Sequence, residues 1–330
     1  MVHKLFFAGF GAKVLGAAAL LASCAAAIAA DPFPSREIRF IVPWNAGGSN
    51  DISARALAQL ASEQGVRVIV ENVPGATGAI GLTKVANAEP DGYTIGMGTS
   101  STLALIAQGL TPLRNEQFAP IARVTTDPLI LLVPAGSPYQ TLDSFLAHVK
   151  SHPGQVSIGI PGTNNLNHIF AVMTGQVAGA ETLAVPYTGG SKVLGDLAGK
   201  QIEAGVLKPS ESKPQIDGGL VRPIAVFGNE RIKSLPDVPT FKEKGYNVFP
   251  YGPLVQMAYI VAPAGTSPAV REKLTAIFSK AIQSAKYKAS SEAGGAIVDD
   301  LTGAALIKEI NSVQKSLNEV GKKVFVAEKK

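Results

Sequence analysis

Apolar and polar positions along the chain form blocks that switch between strand and helix period. Phe40 to Val42 is a continuous apolar run, which suits a strand covered on both faces. The turn Pro43-Trp-Asn-Ala-Gly-Gly-Ser49 follows. Ile52, Leu57 and Leu60 then fall on roughly helical spacing, with Asn50 or Asp51 placed to cap the helix. Val66 to Glu71 is a second strand, and Asn72 to Gly81 a second Gly-rich turn before a helix through Lys84 and Ala88. Tyr93 to Met97 is a third strand, ending in Gly98-Thr-Ser-Ser-Thr102. Three successive strands therefore finish in loops rich in Gly, Ser, Thr or Asn. In open α/β sheets ligands sit beyond the carboxyl ends of strands, so these loops are expected to converge.

The second half repeats the arrangement. Phe118 to Val133 holds a hairpin or crossover pair, with Leu129 to Val133 strand-like and Pro134-Ala-Gly-Ser-Pro138 as punctuation. A helix over Leu142 to Val149 and a strand over Val156 to Ile160 lead to the polar turn Pro161 to His168. A helix to Val177 comes next, then a strand at Leu183 to Val185, the turn Pro186-Tyr-Thr-Gly-Gly190 and a helix to Leu197. Gln201 to Val206 and Val221 to Phe227 are further strands, so the order βαβαβ predicts a second doubly wound unit. Met257 to Ala262 followed by Pro263-Ala-Gly-Thr-Ser-Pro268 copies the punctuation at 129–138. The two copies read as paired hinge crossings. One helix from Pro268 to about Ala285 and another from Ala304 to Val320 return to the first unit. The predicted organisation is α/β: a leader at 1–30, lobe 1 at 31–131 plus 257–330, and lobe 2 at 132–256.

Composition narrows the function. His3, Lys4 and Lys13, an apolar run from Val14 to Leu21 and small residues to Ala30 form a secretory signal, too short to span a membrane. Cleavage after Ala29 or Ala30 leaves a soluble periplasmic chain. Leu21-Ala-Ser-Cys24 alternatively fits a lipoprotein box that would anchor the protein at Cys24. Cys24 is the only cysteine, which excludes disulfides, thiol nucleophiles and thiolate metal sites. The charge of +5 includes Lys4 and Lys13 and shows no clustered basic face, which argues against nucleic acid. Neither a Gly-x-Ser-x-Gly elbow nor a His/Glu metal motif occurs, so no catalytic residue, metal or cofactor is expected.

Six motifs then resemble one family, the periplasmic receptors of tripartite tricarboxylate transporters, also called Bug proteins. They are Ile41-Val-Pro-Trp-Asn-Ala-Gly-Gly48 with Asp51 and Arg55; Val70-Glu-Asn-Val-Pro-Gly75 with Gly78 and Gly81; Pro90-Asp-Gly-Tyr-Thr94; Val185-Pro-Tyr-Thr-Gly-Gly190; Leu235-Pro-Asp-Val-Pro-Thr-Phe241 with Glu243 and Gly245; and Ala262-Pro-Ala-Gly-Thr266. The resemblance spans residues 34 to 320. It implies a type II periplasmic binding protein fold, two doubly wound α/β lobes joined by a two-crossing hinge. It also implies a monomer that closes on a small carboxylate and delivers it to integral-membrane transporter subunits. Carried over by position, the ligand-binding residues are Trp44, Ala46, Gly47, Ser49 and Asp51 in the first loop, with Thr77, Thr99 and Ser100 from the same lobe. The second lobe adds Gly162, Thr163, Asn164, Tyr187 and Thr188. Amides and hydroxyls hold a carboxylate without a buried counter-ion.

Several residues keep two readings. The first loop is either an anion site or a plain strand-to-helix turn. Asp51 is a ligand contact or a helix cap, since its charge opposes a carboxylate. Lys208 is a solvated lysine or a partner for a distal carboxylate; many amino-acid-binding relatives carry an aspartate near Leu207, so its absence here points to a ligand without an amino group, such as a di- or tricarboxylate or an aromatic acid. Trp44 is a wall or a stacking surface, and His168 a polar rim residue. Two rival functions are a ligand-sensing module for a membrane kinase and an exported hydrolase.

Overall fold

The computed structural model describes residues 33–323, so the leader at 1–30 and the lipidation of Cys24 lie outside the described residues. Strand β1 (Ile38–Val42) is buried on both faces at Phe40, Ile41 and Val42, as its continuous apolar run requires. It pairs in parallel with β2 (Val68–Asn72) on one side and β3 (Thr94–Thr99) on the other. β4 (Phe118–Thr126) and β10 (Met257–Pro263) complete a sheet in the order β2-β1-β3-β10-β4, with β10 antiparallel to both neighbours. The second sheet runs β7 (Leu183–Pro186), β6 (Ser157–Ile160), β8 (Ala204–Leu207), β5 (Leu129–Pro134) and β9 (Val221–Phe227). There β6 is parallel to β7 and β8, while β5 is antiparallel to β8 and β9. The architecture is two lobes, each a mixed five-stranded sheet with helices.

The parallel strands set the position of the loops. β1, β2 and β3 lead into α1 (Ser49–Ser62), α2 (Ala79–Ala86) and α3 (Ser100–Ala107). In lobe 2, β6, β7 and β8 lead into α5 (Leu166–Ala178), α6 (Gly190–Ala198) and α7 (Pro209–Asp217), with α4 (Leu142–Ser151) preceding β6. Strands that run in parallel deliver their carboxyl ends to one edge, so each lobe gathers three strand-to-helix turns there. α7 was not foreseen: its polar sequence and the internal Pro214 hide it, and Pro209 in its first turn starts it. Ile52, expected on the buried face of α1, is 61% exposed, and Ala54, Ala58 and Ala61 join Leu57 and Leu60 on that face instead.

β5 and β10 are the strands marked by the repeated Pro-Ala-Gly punctuation, and each is the antiparallel fourth strand of its sheet. They are not a hairpin with their predecessors. β4 and β5 lie in different sheets, so the chain crosses at Asp127-Pro128 and a boundary after Leu131 would cut β5. The return crossing runs from Gly228 to Gln256, and the Asp127 amide donates to the Gln256 carbonyl at 2.8 Å, joining the two. The helix expected from Pro268 to Ala285 is two: α8 (Pro268–Ile282) stops, and the Ser284 hydroxyl caps α9 (Ala285–Ala293) by accepting the Tyr287 amide. α10 (Gly303–Lys323) closes the described chain against lobe 1, burying Leu306, Ile310, Val313 and Leu317. The apolar core around these helices continues into lobe 2 through Leu105, Leu166 and Phe170.

Candidate functional site

The first loop is tied from within. Gly48 is the N-cap of α1 and makes no side-chain cap, while Gly47 adopts φ +81°, a region that favours glycine. Asp51 sits in the first helical turn, 3% exposed. Its carboxylate accepts from the Gly47 amide at 2.9 Å, Asn72 Nδ2 at 2.9 Å and Arg55 Nε at 3.0 Å. Burial works to raise its pKa, but the bonds from Arg55, Gly47 and Asn72 outweigh it and hold the carboxyl below its ordinary range. Asn72 also donates to the Trp44 carbonyl at 3.0 Å, so β2 braces both ends of the loop. Asp51 is thus not the N-cap; its charge is spent on the loop's shape.

Around this loop the structure gathers Trp44 and Thr77. A Cβ at Gly78 would lie 3.0 Å from Trp44 Cζ2 and 3.2 Å from Thr102 Oγ1, so the indole packs over a position that only glycine fits. Ala76 and Thr77 hold φ of 46° and 50°, left-handed backbone in residues that rarely adopt it, and Thr102 Oγ1 donates to the Thr77 carbonyl at 3.5 Å. Thr99 and Ser100 lie deeper. The Ser100 hydroxyl donates to the Val255 carbonyl at 2.5 Å and accepts the Met257 amide at 3.2 Å, which commits it to the return crossing. Thr99 Oγ1 is buried with no bonded partner among the described residues.

In lobe 2 a pocket of about 570 Å³ is lined by Gly162, Thr163, Pro186, Tyr187 and Thr188, with Lys192 and Asp196 from α6. Four predicted ligand residues therefore share one cavity. Gly162 (φ +111°) and Asn164 (φ +58°) shape the β6 to α5 turn. The Asn164 amide donates to His168 Nδ1 at 3.2 Å, and its carbonyl accepts from Gln108 Nε2 of lobe 1 at 3.0 Å. His168, expected at a rim, is buried and shapes this turn. The Tyr187 hydroxyl donates to Asp196 Oδ2 at 2.8 Å; burial, then that carboxylate, pushes the phenol up to about 12. The sequence reading missed Lys192 and Asp196, although both follow the Tyr-Thr-Gly-Gly turn on one helix.

A charged cluster joins the lobes. Lys208, 7% exposed at the N-cap of α7, donates to Ser49 Oγ at 3.1 Å and lies 3.9 Å from Asp127 Oδ2 at the first crossing. Thr125 Oγ1 donates to the same Asp127 oxygen at 2.9 Å. Glu211 is one turn further along α7. Desolvation is the main force raising its pKa, with Asp127 adding to it; Lys208 and a bond with Ser49 oppose this without cancelling it. A Cβ at Gly190 would sit 2.6 Å from Glu211 Oε2, so Glu211 reaches both Ser49 and the start of α6. Ser49 of the first loop is thereby tied to the start of α7 in lobe 2. Lys208 is neither solvated nor open to a ligand. Among the described residues no cluster of His, Cys, Asp or Glu is arranged to hold a metal ion, and no helix is long and apolar enough to cross a membrane.

Comparison with known proteins gives a consistent result. The family described as "Tripartite tricarboxylate transporter family receptor" matches residues 53–309. Protein BugT of Bordetella pertussis is 30% identical over 94% of this chain and 97% of its own. A solved periplasmic transporter superposes with a TM-score of 0.80 at 32% identity, covering 88% of this chain and 98% of its own. MatC from Rhodopseudomonas palustris, solved with bound malate, gives a TM-score of 0.78 at 26% identity over 88% of this chain and all of its own.

Proposed function

Because the chain belongs to the tripartite tricarboxylate transporter receptor family, we propose that it captures a small carboxylate between its lobes in the periplasm and delivers it to integral-membrane transporter subunits. Members of this family are binding receptors rather than enzymes. The observation that carries the reading is the meeting of two turns across the lobes. The Gly47 to Ser49 turn is tied by Lys208 and Glu211 to lobe 2, whose pocket walls include the Gly162-Thr163 and Tyr187-Thr188 turns. Glycine-rich backbone and hydroxyls at helix starts suit an anion. The one carboxylate inside the first loop, Asp51, is already satisfied by Arg55, Asn72 and Gly47, so it does not repel such a guest. The malate in the MatC neighbour is a solute of this class.

Binding works through closure. The lobes turn about the crossings at Asp127-Pro128 and the segment ending at Gln256, and a ligand bonded to both lobes favours the closed form that docks on the membrane partner. The absence of an acidic residue at Leu207 favours ligands without an amino group. The test is a thermal-shift screen of unfolded and refolded protein against carboxylates, amino acids and aromatic acids. At about 100 times Kd a ligand stabilises by about 2.7 kcal/mol, an unmistakable shift. Tight aspartate or glutamate binding would refute the amino-group argument. Silence across all carboxylates would refute the receptor reading, and unchanged small-angle scattering with a confirmed ligand would refute closure.

A further inference from the structure

Gly294 lacks a side chain for a reason that lies in the other lobe. α9 ends at Ala293, and the two glycines that follow it answer different demands. Gly295 holds φ +86°, the left-handed conformation on which helices commonly end with glycine. Gly294 holds φ −79° and ψ −3°, which any residue adopts, so the turn itself does not require glycine there. The space around it does. A Cβ on Gly294 would stand 3.3 Å from Ser210 Cβ and 3.7 Å from Ser210 Cα, while the Ser291 carbonyl oxygen, 3.4 Å away, is an ordinary neighbour at a helix end. A Cβ on Gly295 would stand 2.7 Å from Pro209 Cβ and 2.9 Å from Ser234 Oγ. Pro209 and Ser210 open α7 of lobe 2, and Ser234 follows β9 between Ile232 and Leu235, which pack into the lobe 2 core. The glycine turn is therefore lobe 1 backbone set directly against lobe 2.

This contact lies beside the crossings. Ile297, two residues past the turn, exchanges both backbone bonds with Thr126 at 2.9 and 2.7 Å, and Thr126 is the last residue of β4 before Asp127-Pro128. Lys208, just ahead of Pro209, reaches Asp127 and Ser49 of lobe 1. The start of α7 thus meets lobe 1 twice, once through a long charged arm and once through close packing. A lysine arm follows a change of lobe angle by rotating its bonds. Two glycines against a proline ring and a serine Cβ have nothing to rotate, and packed contacts resist compression. We propose that Gly294 is a positioning residue for solute capture: with Gly295 it forms the seat of lobe 2 on lobe 1, which sets the spacing between the lobes that a solute must bridge. The proposal rests on capture between the lobes and adds to it the residue that fixes their spacing.

The test uses the presence of a single cysteine, Cys24. In a Cys24→Ser background, spin labels at Ile307→Cys in lobe 1 and Leu183→Cys in lobe 2, both exposed, report the distance between lobes by pulsed electron resonance. Gly294→Val is expected to shift that distance distribution in the unliganded protein. It should also weaken binding of malate and adipate by roughly tenfold, as the fraction of molecules able to close falls. Gly294→Ala should move both readouts the same way by less. Ser210→Gly removes the Cβ that the new side chain meets, so the double variant Gly294→Val/Ser210→Gly should return both readouts toward those of Ser210→Gly alone. An unshifted distribution in Gly294→Val overturns the seat. A shift that Ser210→Gly leaves uncorrected overturns it as well, because the clash then lies within lobe 1. A shifted distribution with unchanged affinity, or wild type that binds neither acid, overturns the link to capture, while the distance measurement still decides the seat. The receptor reading itself falls only on silence across the whole carboxylate screen.

Discussion

Lys208→Met tests whether the two lobes are held by charge. Methionine keeps the length of the side chain and its buried stem but removes the ammonium. Unit charges 3.9 Å apart attract by about 4 kcal/mol at an effective dielectric of about 20, which bounds what the Asp127 contact supplies. The bond to Ser49 adds about 1 kcal/mol. Against this, the variant no longer desolvates an ammonium, and that recovery cancels much of the Coulomb loss. The net cost is expected at about 2–3 kcal/mol, or roughly 4–6 °C in Tm for a chain of this size. The assay is reversible denaturation of Lys208→Met, Asp127→Asn and the double variant at neutral pH. If the pair interacts, the double variant costs less than the sum of the singles by about 1 kcal/mol or more. A single variant within about 0.5 kcal/mol of wild type, or strict additivity, would show that the contact is geometry without energy.

Three other outcomes follow from the same region. Glu211 has a folded pKa above its ordinary 4.5, so the unfolded chain loses this proton first and folding is penalised as pH rises from 4.5 through the folded value; Glu211→Gln should therefore gain stability over wild type as pH rises above 4.5 in paired Tm curves, and parallel curves would be contrary to it. Asp51 has a folded pKa below its ordinary 3.8, so its contribution is present above that value and is lost as pH falls through the folded one. Asp51→Asn should cost about 1–3 kcal/mol at pH 7 and progressively less in acid, measured by denaturant unfolding, and should weaken ligand binding by loosening Gly47. Gly81→Ala places a Cβ 2.8 Å from the Val73 carbonyl oxygen and 2.9 Å from Pro43 Cα, both backbone, so a loss of about 1–3 kcal/mol is expected, together with weaker ligand binding because Pro43 opens the first loop; a variant with wild-type Tm would mean the loop yields freely.

How far the fold was legible depended on whether a residue's role was local. β1 could be read because its burial on both faces writes the continuous apolar run Phe40 to Val42. The three strand-to-helix turns of lobe 1 and the first two of lobe 2 followed from their spacing. The two chain crossings were signalled by the duplicated Pro-Ala-Gly punctuation, yet their positions were not. The apolar run Leu129 to Val133 looks alike whether it ends one sheet or begins another, and only its antiparallel pairing with β8 and β9 assigns it. α7 was invisible for the opposite reason: it buries little besides Pro209 and Ser212, so no hydrophobic period marks it.

The site divides along the same line. Gly162, Thr163, Tyr187 and Thr188, which the family resemblance implied as ligand residues, line one pocket, because a turn's residues carry their geometry with them. Charges could not be placed, because what a charge does depends on partners far away in sequence. Asp51 was a doubtful anion ligand until Asn72, 21 residues on, was found bonded to it. Lys208 was a surface lysine until Ser49, 159 residues away, proved to be its acceptor. Once these partners are assigned, Asp51 is answered by Arg55 and Lys208 by Asp127, while Asp196 keeps its charge beside a neutral Tyr187 phenol. What remains for an anionic guest is the uncharged chemistry of the turns, backbone amides and hydroxyls, and that is the part of the site a sequence carries in place.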